Sequence, residues 1–146
     1  AWTPREFNCP RLVTAPGSLC GTELASLGAA EARAFYPAVF GWGAEANPME
    51  GGGEYTEWQL DGRDVGGMLQ MTDANFPPEV PPHWAVYFAV ADCQAAVGKV
   101  TELGGSVTVP PTTIPVGIFA VCQDPQGAFF SLIQLSEESA RAREST

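Results

Sequence analysis

A single histidine, His83, and only seven lysine and arginine residues stand against 17 acidic residues in this chain of 146, giving a formal charge of -10. One imidazole excludes a metal centre built on several histidines. The acidic balance opposes both phosphate backbones and anionic membrane surfaces. No apolar run approaches the roughly 18 residues of a membrane-spanning helix. The N-terminus lacks the basic start and apolar stretch of a secretory signal. Cys9, Cys20, Cys93 and Cys122 form no C-x-x-C pair, so neither a structural zinc site nor a dithiol redox motif has support. There is no G-x-S-x-G nucleophile elbow, no Walker phosphate loop and no H-E-x-x-H pair. These absences predict a cytoplasmic protein with reduced thiols, no cofactor, and neither nucleic acid nor membrane among its partners.

What the chain does contain is a repeated grammar. Residues 1–18, punctuated by Pro4, Pro10, Pro16 and Gly17, read as an extended arm, and residues 136–146 as a polar, frayed tail. Between them lie two segments, about 19–72 and 83–135, separated by the proline-rich "NFPPEVPPH". In the first, the strand "LCGTELA" precedes a helix near 29–40, then strands near 44–47, in "EYTEWQL" and in "DVGGMLQM". In the second, "WAVYFAV" precedes a helix from Asp92 to Leu103, with strands near "SVTV", "IFAVCQ" and "AFFSLIQ". Asp92 is a good N-cap and Gly104 suits the left-handed C-cap position. Sliding the chain on itself by 64 residues superposes the halves, bringing Gly21 onto Ala85, Tyr55 onto Phe119 and Gly67 onto Ser131. The prediction is an α+β domain of paired β-α-β-β-β modules.

These modules, with "ARAFYPAVFGW", "VTELGGSV" and "DPQGAFFSLIQ", resemble the vicinal oxygen chelate superfamily of glyoxalases, bleomycin-resistance proteins and extradiol dioxygenases. Within it, the start "WTPREFNCPRLVTAPGSLCGTEL" is similar to the actinobacterial two-domain branch typified by the 27 kDa antigen. The resemblance implies a curved mixed sheet, a half-barrel, with a ligand cleft. It also implies metal ligands, His or Glu, on the first and last strands of each module. Those positions fall on Gly21, Gly67, Ala85 and Ser131, none of which supplies an imidazole or carboxylate. The site is therefore expected to be metal-free.

If those positions face inward, strand alternation places Leu19 and Glu23 beside Gly21, and His83 and Tyr87 beside Ala85. Val65 and Leu69 then flank Gly67, with Met71 farther along, and Phe129 and Ile133 flank Ser131. Trp58 and Trp84 offer stacking surfaces for a ligand, or ordinary core packing. His83 reads as a strand-entry or cleft-rim residue. Glu23, a carboxylate among apolar neighbours, is the candidate catalytic acid or base, with a raised pKa and Tyr87 as its repeat-related partner. Such a lining predicts metal-independent binding or sequestration of an aromatic or drug-like molecule, as in bleomycin-resistance proteins. The alternative is a glyoxalase-like lyase or a metal-free isomerase using Glu23 as base. Net acidity favours a cationic or neutral ligand. Open sheet edges predict a homodimer.

Overall fold

Alternation of apolar and polar residues over short runs, interrupted twice by helical spacing, produces two copies of one unit. The structure, a computed structural model, describes residues 14–145, so most of the arm anticipated over 1–18 lies outside the described residues. The first unit comprises β1 (Leu19–Ser26), α1 (Ala29–Phe40), β2 (Gly43–Pro48), β3 (Glu54–Leu60) and β4 (Arg63–Gln70). The second comprises β5 (His83–Ala89), α2 (Cys93–Glu102), β6 (Ser106–Ile114), β7 (Gly117–Gln123) and β8 (Phe129–Leu135). All eight strands form one mixed sheet in the order β2-β3-β4-β1-β5-β8-β7-β6. In each unit the first strand returns parallel to the last, and the units join through the antiparallel pair β1 and β5.

The repeat extends to individual hydrogen bonds. The Ala29 N–H donates to Oε1 of Gln70 at 2.9 Å, and the Cys93 N–H donates to Oε1 of Gln134 at 2.8 Å. Both donors and both acceptors are related by the same 64-residue offset. In each unit a glutamine at the end of the last strand thus satisfies one of the orphan N–H groups that open the helix. The remaining caps differ. Asp92 accepts from the Ala95 N–H at 2.9 Å, whereas α1 starts after Gly28 with no side-chain cap. The turns follow their sequences: Asp61 and Gly62 both take positive φ, 51° and 75°, as a two-residue hairpin requires.

Both helices lie on one face of the sheet. Leu24, Trp58 and Met68 are buried with Ala32 of α1, while Ala120, Cys122 and Leu132 are buried with Cys93 and Val97 of α2. Since strand side chains alternate, the residues one position away, Glu23, Gly67 and Ser131 among them, point to the opposite face. The site is positioned by this division alone.

The C-terminal tail departs from the expectation of a frayed end. Residues Glu137–Glu144 form a third helix, α3. Ser136 caps it by accepting from the Ser139 N–H at 3.2 Å, with Glu137 and Glu138 in the first turn and Arg141 and Arg143 in the last, each sign on the side the helix dipole favours. No described helix is long and apolar enough to cross a membrane.

Trp58 is fully buried, at 0 % exposure, and Trp84 is 39 % exposed, so the two indoles should differ sharply as stability determinants. Trp58→Ala is expected to cost about 3–5 kcal/mol and Trp84→Ala distinctly less. Urea denaturation of both variants checks this ranking.

Candidate functional site

The face opposite the helices is organised in rows across the central strands. Gly67, Glu23 and Ala85 are direct partners in one row, on β4, β1 and β5. Gly21, Tyr87 and Ser131 form the row below. Leu69, Ala25 and His83 form the row above. The four positions where the superfamily resemblance places metal ligands are thus close together in space, spread over two adjacent rows.

Their centre is taken by a hydrogen-bond chain. The Tyr55 hydroxyl, from β3, donates to Oε2 of Glu23 at 2.8 Å. The Tyr87 hydroxyl, from β5, donates to Oε1 of the same carboxylate at 3.2 Å. Ser131 of β8, only 3 % exposed, is the direct cross-strand partner of Tyr87. Side chains from β3, β1 and β5 are thereby linked through one carboxylate.

Geometry explains why Gly67 must be glycine. Strand β4 lies between β3 and β1, so Tyr55 reaches Glu23 only by crossing the β4 backbone, a span of roughly two interstrand spacings of 4.8 Å. A Cβ on Gly67 would collide with the Tyr55 hydroxyl and its ring carbons. The adjacent Gly66 is constrained on the other face, where a Cβ would come within 2.9 Å of Thr22 Oγ1. A pair of glycines within a strand therefore marks close approach on both sides.

Burial pushes the Glu23 carboxyl above its usual range, and this effect exceeds the opposing stabilisation from Tyr55, Tyr87 and the nearby His83. The two phenols are pushed upward in turn, by burial first and then by the Glu23 charge, so both remain donors across the physiological range. The arrangement binds one proton in competition with two fixed donors. Chemically it can anchor a polar ligand group, or exchange a proton with one.

A resident metal does not fit. Gly21, Ala85 and Ser131 carry no ordinary ligand for a divalent ion, and the space at Gly67 is filled by the Tyr55 phenol. Among the described residues no three His, Cys, Asp or Glu side chains are gathered as a metal would require.

Of the other anticipated site residues, His83 lies on the Glu23 face with its Nδ1 2.8 Å from the Pro81 carbonyl and its ring edge-on to Phe76. Leu69 is partly buried beside Ala25, and Met71 lines a groove of about 360 Å³ with Leu27, Phe76 and the prolines of the linker between modules. Phe129 is 61 % exposed, two residues from Ser131 on the same strand face. Trp58 and Trp84 follow the core-packing alternative. Trp58 packs against Tyr36 and Trp42 on the helix face, and Trp84 donates from Nε1 to the Tyr36 hydroxyl at 3.1 Å there. Strand parity sends both away from Glu23.

Residues 23–132 match the family described as the Glyoxalase/Bleomycin resistance protein/Dioxygenase superfamily. The chain belongs to this superfamily. The superfamily relatives include the anthracycline biosynthesis protein DnrV of Streptomyces peucetius, 39% identical over 122 residues that make up 84% of this chain and 43% of that protein. The "Putative glyoxylase CFP32" of Mycobacterium bovis is 40% identical over 134 residues, 91% of this chain and 50% of that protein. The chain therefore spans about half the length of the curated relatives it matches. Among solved structures, Streptomyces coelicolor methylmalonyl-CoA epimerase superposes with a TM-score of 0.60 at 16% identity, covering 84% of this chain and 99% of the epimerase. A superfamily member from Vibrio splendidus gives 0.51 at 20% identity, over 78% and 96% of the two chains. These two likenesses speak to the fold alone.

The raised Glu23 pKa fixes a pH dependence. The folded state holds its proton more tightly than the unfolded chain, whose value lies near 4.5, so the contribution to stability is complete below 4.5 and declines as pH rises through the folded value. Relative to Glu23→Gln, wild-type stability should therefore fall as pH is raised from 4.5 toward neutrality, as measured by urea unfolding at several pH values.

Proposed function

We propose that the Glu23 face is a metal-independent binding site for a flat aromatic small molecule. The observation that carries this reading is the carboxylate fixed between two phenols, a polar anchor set among the apolar Ala85, Leu69, Ala25 and the His83 and Phe76 rings. Sites for organic ligands combine such an apolar lining with a few placed polar groups. The similarity to a protein of anthracycline biosynthesis supports a polycyclic, hydroxylated ligand class. Binding in this reading shields the ligand rather than transforming it.

A second reading is favoured by one observation, the upward shift of the Glu23 carboxyl by burial. A carboxylate whose pKa is raised is a stronger base than a free one, which makes a metal-free isomerase the catalytic alternative. Turnover lost in Glu23→Gln with binding retained would identify it.

The test of the leading reading is a fluorescence titration with hydroxylated anthraquinones, with and without EDTA. Saturable binding unchanged by EDTA is expected. Tyr87→Phe removes one donor from Glu23 and should weaken affinity by a factor of about 2–12, the equivalent of about 0.5–1.5 kcal/mol. Binding abolished by EDTA and restored by a divalent metal would overturn the reading.

A further inference from the structure

Beyond the row of Leu69, Ala25 and His83, the sheet gives way to the proline-rich linker between the modules. There a groove of about 360 Å³ is lined by Leu27, Met71, Phe76 and four prolines of the linker. Met71 stands four residues along the chain from Gly67, roughly 13 Å of extended backbone, so the groove is separate from the row that holds Glu23. Its wall is built in advance. A proline ring fixes φ, and four of them leave the linker little freedom to lose when a ligand binds. Asn75 pins the segment: its Oδ1 accepts from the Thr72 N–H at 2.6 Å and from the Thr72 hydroxyl at 2.9 Å, and its Nδ2 donates to the Gln70 carbonyl at 3.0 Å. Gln70 in turn donates from Nε2 to the Leu27 carbonyl at 2.7 Å. The Val80 N–H closes on the Pro77 carbonyl at 3.1 Å. Two exposed carboxylates, Asp73 and Glu79, also line the groove, and neither has a hydrogen bond or ion pair with any described residue. No described basic side chain is among the lining residues. The lone imidazole, His83, meets Phe76 edge-on with ring centroids 6.1 Å apart and is not part of the lining.

We propose that this groove is a second binding site, for a compact aromatic ammonium compound of one or two rings. It is independent of the Glu23 site and of what binds there. The volume lies at the low end of the range for organic-ligand cavities, which sets the size of the occupant. The Met71 thioether and the Phe76 ring favour an aromatic body. Sign is decided by the two carboxylates, which have no counter-cation in the lining and are left to pair with a positive group on the ligand. The face of Phe76 attracts an ammonium as well. The net charge of -10 has the same sign as the groove, so long-range steering and local contact select one class of ligand.

The experiment titrates the full chain, carrying methyl-labelled methionine, with 2-naphthylmethylammonium and with 2-naphthylmethanol, its neutral counterpart. Ring currents from a naphthalene in the groove should move the Met71 methyl resonance. Met68, buried on the helix face, and Met49, outside the groove, should stay in place. Partly solvated ion pairs contribute modestly, so wild type should bind the ammonium about threefold or more tightly than the alcohol. Asp73→Asn combined with Glu79→Gln should bring the two affinities together. Glu50→Gln combined with Glu138→Gln, the same change of net charge at exposed positions away from the groove, should keep the preference. The proposal is overturned if neither probe binds, if binding leaves the Met71 methyl unmoved, if wild type binds both probes equally, if the groove double variant keeps the preference, or if the control double variant loses it to the same extent. None of these results bears on the Glu23 site, which the anthraquinone titration tests separately.

Discussion

A carboxylate withdrawn from water must be compensated, and at Glu23 the compensation comes from phenols on both sides of its strand. Tyr55 and Tyr87 each donate to one carboxylate oxygen. Another feature of this face follows from that requirement. Gly67 has no side chain because Tyr55 passes over it. Among the described side chains, no buried nitrogen or oxygen lacks a hydrogen-bond partner. A network satisfied in this way adds rigidity, where a half-satisfied one would be a liability.

The same chain of contacts redefines what the superfamily fold offers at its centre. A divalent ion gathers several anionic or imidazole ligands around one positive charge. Here one carboxylate gathers two neutral donors around one negative charge. The polarity of the site is inverted, and the space beside Gly67 is occupied by the Tyr55 phenol. Energetically the arrangement is finely poised, since burial outweighs the phenols and holds the Glu23 proton more tightly than water would. A small change in what contacts the carboxylate therefore has leverage on its protonation.

Much of this was legible in the sequence, because period and punctuation carried it. The 64-residue offset anticipated both modules, and the structure repeats it in the Gln70 and Gln134 contacts. Strand alternation correctly grouped Glu23, Tyr87, Ala85 and Ser131 on one face. The two tryptophans stayed open between core and ligand platform because a large aromatic side chain suits both, and only strand parity separates them. Their even positions, 58 and 84, share the register of Leu24, which points into the core. Tyr55 was missed although its signal was present: it alternates with buried Thr56 and Trp58, and it runs beside the paired glycines 66 and 67. Helix α3 was missed because the tail was read by its polarity. A serine cap, two glutamates and two arginines in dipole order spell a short helix, but its placement over Cys20 is a tertiary contact spanning 123 residues.

The claim on which the account depends is that the carboxylate and its phenols have replaced a metal centre. Equilibrium dialysis of the protein against Zn2+, Ni2+ and Mn2+, followed by metal analysis, tests it directly. The account predicts no stoichiometric retention of any of the three ions, with Glu23→Gln indistinguishable from wild type. One equivalent of metal per chain, held tightly and lost on Glu23→Gln, would contradict it.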